Sequence, residues 1–90
     1  MSTAIRVHIP ASLRKLTDGI SDVEVDAATV REVVIELDRR FPRIGDRLIE
    51  DDRLKQGVAV AVNSRLCATG LATPVPPGAE VQFVPALAGG

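Results

Sequence analysis

One helix signal, set between segments of strand period, constrains this chain more than any other feature. Thr29-Val-Arg-Glu32 has capping-box spacing, with a threonine hydroxyl for one unpaired amide of a helix start and a glutamate that reaches back to another. From there Val30, Val33, Val34, Leu37 and Phe41 recur at helical spacing, Glu36 and Arg40 form an i,i+4 pair on the polar side, and Pro42 stops the run. β-Branched residues lose side-chain freedom in a helix, so this one is expected to hold only when docked. The competing assignment is a strand, but a sustained helical period with both boundary signals outweighs propensity.

The flanking segments read as strands. Ile5, Val7 and Ile9 alternate with Arg6 and His8, the pattern of a half-buried strand. A second strand is predicted from Ile20 to Val25, after a turn at Asp18-Gly19. Pro42 to Gly57 is an irregular connection with a short helical turn carrying Ile44, Leu48 and Ile49. Val58-Ala-Val-Ala-Val62 is a continuous apolar run of the kind expected for a central strand, with valines and alanines on opposite faces. Asn63-Ser64-Arg65 turns the chain into a short strand around Leu66 to Ala68, and a loop punctuated by Gly70, Pro74, Pro76, Pro77 and Gly78 leads to a last strand from Glu80 to Val84. In it Val81 and Phe83 face the core while Gln82 and Val84 face away. The predicted class is α+β in the order β-β-α-β-β, one domain over residues 1–90 with a tail from 85 to 90. A single helix covers one face of such a sheet, which leaves the other for a partner.

Composition removes several functions. The aromatic residues are Phe41 and Phe83 alone, so the core is aliphatic; with a net charge of −1 and neither Trp nor Tyr, nucleic-acid binding is disfavoured. A single cysteine, Cys67, excludes an internal disulfide framework and fits a reducing compartment. The opening residues lack a signal-peptide core, and no run approaches the roughly 20 apolar residues of a membrane span. The expected location is the cytoplasm, with no membrane partner.

The candidate sites are few. The sequence ends on Gly89-Gly90, directly after the last predicted strand and Ala86-Leu-Ala88. Two glycines without Cβ atoms adopt backbone angles closed to other residues and can carry a carboxylate into a narrow enzyme channel; the plain alternative is a frayed end. His8 reads as a solvated surface residue, with no neighbouring nucleophile motif. Cys67, beside Leu66 and Ala68, reads as a small packed hydrophobe. Glu50-Asp51-Asp52 reads as a solvated loop and not a metal site, for which several converging ligands are needed. Arg39, Arg40, Arg43 and Arg47 complement the dipole at the helix C-terminus, or else face an acidic enzyme surface.

These residues resemble the ubiquitin-like β-grasp sulfur carriers of the MoaD/ThiS family. The likeness runs through the opening strand with Leu13 and Leu16, the capped helix, Val60-Ala-Val-Asn63, Glu80-Val-Gln-Phe-Val-Pro85 and the Gly89-Gly90 end. Within the family, Thr69-Gly-Leu-Ala-Thr73 and Pro85-Ala-Leu-Ala-Gly-Gly90 are most similar to the actinobacterial cysteine-synthesis carriers of the CysO type. Pro77-Gly78-Ala79-Glu80 departs from the family, which often has an aspartate beside the glycine; the change touches a turn and not the tail. The resemblance implies a β-grasp mixed sheet with one covering helix and no active-site side chains. The reactive group would be the Gly90 carboxylate, adenylated by an E1-like partner that brings its own ATP and Mg²⁺ and then converted to a thiocarboxylate. Leu87, Ala88 and Gly89 would enter the partner's channel. Val84 and Pro85, with Ala59, Ala61 and Pro10, would face the partner, and no cofactor or metal would be bound. The implied sulfur acceptor is first a PLP-dependent cysteine synthase, then molybdopterin, thiamine or a specialised thiolated metabolite, with a carrier-specific protease as a further partner. A ubiquitin-like modifier joined to lysines through Gly90, or a pure interaction module, is the alternative.

Overall fold

The helix is capped from both directions. In the computed structural model, which describes residues 4–55, 57–67 and 70–85, Glu32 N donates to Thr29 Oγ1 at 3.2 Å and Ala28 N donates to the Glu32 carboxylate at 2.8 Å. Helix α1 spans Val30–Arg40 and buries Val30, Val33, Val34 and Leu37. It ends where Phe41 N donates to Leu37 O, immediately before Pro42. The expected Glu36–Arg40 pair is replaced: the ion pair runs from Arg39 to Glu36 at 3.2 Å, one residue closer along the helix. Both spacings lie on one helix face, so the pair changes partner without changing side.

The sheet is mixed. Strands β1 (Ile5–His8), β2 (Asp22–Val25), β5 (Val58–Val62), β6 (Arg65–Leu66) and β7 (Glu80–Pro85) are ordered β2-β1-β7-β5-β6. β1 and β7 are parallel, and the other neighbours are antiparallel. Between α1 and β5 lie a short helix α2 (Ile44–Leu48) and a hairpin of β3 (Ile49–Glu50) with β4 (Arg53–Leu54). The second strand begins at Asp22 and not at Ile20, because Ile20 belongs to the turn: its N–H donates to Thr17 O, and its carbonyl accepts from the buried Thr17 hydroxyl at 2.8 Å. The middle of the sheet is taken by β7, with β5 beside it. β5 is an interior strand, as its apolar run predicts, with β7 on one side and β6 on the other; its valines face the core and its alanines the outer face.

Inner-face residues Ile5, Val7, Val23, Val25, Val60, Val62, Val81 and Phe83 form one buried cluster with Val30, Val33, Val34 and Leu37 of α1 and Ile44 and Leu48 of α2. Close packing of branched aliphatic shapes substitutes for aromatic bulk. The junction between the helices is tight, since Gly45 N donates to Asp38 Oδ1 at 3.0 Å and a Cβ on Gly45 would sit 2.8 Å from that oxygen. Among the described residues no helix is long and apolar enough to cross a membrane.

Candidate functional site

The outer face of the sheet divides into two halves, and the strand register fixes the division. Opposite Val84 on β7 stands Ala59 of β5; opposite Gln82 stands Ala61, whose other neighbour is Leu66 of β6. Val84 is 39% exposed and Leu66 74%. Val84, Ala59 and Leu66, with Ala61 between them, make an apolar strip across β7, β5 and β6, edged by Gln82. Val84 and Pro10 also line a groove of about 530 Å³ shared with His8, Arg14 and Gln82.

Ala61 needs a correction. It lies on the outward face but is only 5% exposed, so it offers a partner little surface. A methyl group between the longer side chains of Leu66 and Gln82 is overshadowed by them. Ala59 and Pro10 are half-buried. Strand β7 reaches Pro85, while Leu87, Ala88, Gly89 and Gly90 lie outside the described residues.

Leu66 carries the exposed apolar surface that sequence reasoning missed. The signal was present in Asn63-Ser64, which form a two-residue hairpin turn with both φ angles positive, 51° and 70°. A two-residue turn fixes the register, and this register puts Leu66 directly across from Ala61. Asn63 further ties the hairpin to β7, accepting from Glu80 N at 3.0 Å through its side chain.

Over β2 and β1 the outer face is charged. His8 is not the freely solvated residue its surroundings in sequence suggest: its Nδ1 pairs with Asp22 and its Nε2 with Glu80 at 2.8 Å, which joins strands β2, β1 and β7. The hydrogen bond to Glu80 raises the imidazole above its ordinary range; partial burial opposes the rise, and Asp22 adds to it. Cys67 packs partly against the core cluster, and its Sγ donates to Arg65 O at 3.5 Å. Asp51 and Asp52 form the β3–β4 turn with positive φ, and Asp52 is paired with Arg31 of α1. Among the described residues no group of three or more His, Cys, Asp or Glu side chains is arranged to hold a metal ion.

Among the described residues, this face is an exposed apolar strip on β7, β5 and β6 beside a groove lined by His8 and Arg14. The chain matches the ThiS family over residues 7–90. It is 32% identical over 91 residues to the sulfur carrier protein CysO of Mycobacterium tuberculosis, an alignment that takes in 96% of this chain and 98% of that one. A chain of the Amycolatopsis orientalis BexX/CysO complex superposes with a TM-score of 0.90 at 35% identity, covering 97% of this chain and all of that one. SAMP1 of Haloferax volcanii superposes with a TM-score of 0.79 at 25% identity, covering 97% and 99%. The chain therefore belongs to the ThiS family: it has the ubiquitin-like β-grasp fold and is a sulfur carrier of the ThiS/CysO type.

Proposed function

We propose that the Gly90 carboxylate is the group that carries sulfur, and that an E1-like partner activates it. A carboxylate acylates poorly because oxide is a poor leaving group. In the proposed first step a carboxylate oxygen attacks the α-phosphorus of ATP and pyrophosphate leaves; in the second, hydrosulfide attacks the acyl carbon, AMP leaves and the thioacid loses its proton. The resulting terminal thiocarboxylate is anionic and nucleophilic in the way a thiolate is, so sulfur passes to an activated acceptor without release of free sulfide. ATP, Mg²⁺ and the acid/base groups belong to the partner. The first-choice acceptor is an activated serine held by a PLP-dependent cysteine synthase, from the likeness to CysO, and a carrier-specific protease would then free the cysteine.

The observation that supports this reading best is the apolar strip of Val84, Ala59 and Leu66 around β7, the strand that leads into Leu87, Ala88, Gly89 and Gly90. Exposed apolar surface of this kind marks protein interfaces, and one docking event would bring the tail to the partner's active site. Pro85 and Pro10 complete the proposed contact surface. Deletion of Gly90 displaces the reacting carbonyl by about 3.3–3.6 Å, and near-attack geometry does not tolerate an ångström. The deletion should therefore abolish ATP–pyrophosphate exchange by the partner while leaving the fold unchanged. Retained exchange would refute the assignment of the reactive group. Gly89→Val should block the same step, since its branched side chain would obstruct a narrow channel.

The likeness to SAMP1, a small archaeal modifier protein, supports a second reading in which the activated Gly90 is joined to lysines of target proteins. Intact-mass analysis from the native host separates the two: exchange of oxygen for sulfur at the terminus marks a carrier, and branched lysine adducts mark a modifier.

A further inference from the structure

The end of the sheet at Pro85 holds a cleft that shares Pro10 with the proposed docking surface but otherwise lies on the side of α2. Because β1 and β7 are parallel and β5 runs against β7, the ends of β1 and β7 and the start of β5 lie together, and Pro85 pairs with Val58 there. Beside them is a cavity of about 230 Å³ with an apolar wall of Leu13, Leu48, Val58 and Phe83 and two cations, Arg47 and Lys55. None of its described lining residues is acidic. Among the described residues, the ion pairs involve neither Arg47 nor Lys55.

We infer that this cleft is the resting site of the chain's own residues 86–90 in the free carrier, with Leu87 against the apolar wall and the terminal carboxylate against Arg47 and Lys55. Three observations converge on that occupant. The segment starts from Pro85, whose partner Val58 is part of the wall, and five residues reach at most about 17 Å, enough to cross a cleft of this size. Leu87 is the one large apolar side chain of the segment, between Ala86 and Ala88, and otherwise adds to the exposed apolar surface. The charges are complementary, two cations without ion-pair partners among the described residues against one carboxylate.

The arrangement has a consequence for the proposed function, on which its meaning rests. Phe83 and Val58 face the cleft side of the sheet, while Val84 and Ala59 face the docking side. A partner can thus seat on the outer strip before it draws the tail from the cleft. A thiocarboxylate has the same single negative charge as the carboxylate, so the sulfur-loaded terminus is held in the same way.

Methyl-labelled NMR of the full chain, without any partner, tests the contact. The expected result is cross-peaks from the Leu87 methyls to those of Leu48 and Val58, unchanged on dilution, together with shifts of the Leu13 and Leu48 methyls when residues 86–90 are deleted. Arg47→Glu with Lys55→Glu should remove the cross-peaks while the Leu37 and Val81 methyls stay in place, showing that the fold is intact. Absent cross-peaks with unshifted cleft methyls would overturn the inference, and cross-peaks that fade on dilution would assign the cleft to the tail of a second copy and overturn it equally. Cross-peaks that survive charge reversal would overturn the pairing with Arg47 and Lys55. Pyrophosphate exchange separates this inference from the carrier reading. Normal exchange with a tail that never contacts the cleft refutes only the cleft, whereas a bound tail in a chain that is never adenylated refutes only the carrier chemistry.

Discussion

The two faces of the same strands carry different duties. Along β7, Val81 and Phe83 are 0% and 3% exposed against the helix side, whereas Val84 between them and the tail is 39% exposed on the other side. Side chains alternate along a strand, so β7 places Val81 and Phe83 in the core and Gln82 and Val84 on the outer face, the face of the proposed docking strip. Stability and partner recognition are therefore separable by substitution at adjacent positions, which an active site made of buried groups does not allow.

The largest expected effect is on the inner face. Val81→Asp places a charge in the centre of the aliphatic cluster, where no cation is available to pair with it, and should leave the domain unfolded by circular dichroism at room temperature; an isolated buried carboxylate costs several kcal/mol, a large part of the stability of a small domain. A folded Val81→Asp chain would show that the inner face is not the core. Leu37→Ala on the facing helix should cost about 2–5 kcal/mol through lost burial and the cavity left behind, read from chemical denaturation.

On the outer face the outcome should invert. Val84→Asp should fold, with a stability loss under about 1 kcal/mol from strand propensity, yet bind and be activated by the proposed E1-like partner at least roughly a hundredfold more weakly, since the new charge would be dehydrated on docking without a partner. Unfolding by Val84→Asp would break the comparison between the faces. Leu66→Ser should weaken the same binding by a smaller factor, roughly tenfold, or about 1.4 kcal/mol, because Leu66 lies at the edge of the strip. Titration of partner binding by calorimetry measures both.

The smallest effect is expected from the charged half. Glu80 first, and Asp22 after it, raise the His8 imidazole in the folded state. The sign follows from linkage: the stabilisation is fully present below the ordinary histidine value of about 6.5 and is lost as pH rises through the folded-state value. Exposed pairs of this kind contribute about 0.2–1 kcal/mol. His8→Gln should flatten that part of the pH profile of the denaturation midpoint and leave partner binding nearly unchanged. An unaltered profile would show that the ion pairs do not form in solution.

Much of this organisation is legible in the residues. The capping box, the apolar helix face and Pro42 mark α1, which ends at Arg40 with Phe41 as its cap, and alternation along Glu80 to Val84 assigns both faces of β7. The same reasoning failed at three places where a side chain had more than one partner within reach. Arg39 displaced Arg40 as the partner of Glu36, Thr17 captured Ile20 into a turn, and His8 was drawn between carboxylates on two other strands. Ala61 shows a further limit, because facing is local but exposure depends on the neighbours' length.

By itself, then, the sequence determined the capped helix, the main strands and their order, the aliphatic core and the family, because all of these follow from short-range periodicity, caps and motifs; the β3–β4 hairpin, in a stretch without strand period, did not. Only the tertiary structure decided which strands are neighbours: that β7 lies between β1 and β5, that Glu80 comes within 2.8 Å of His8 across 72 positions of sequence, and that Leu66 extends the strip begun by Val84. Pairing between distant segments is selected by the burial of the whole core and not by any local preference. The composition of the docking surface is accordingly a property of the folded sheet.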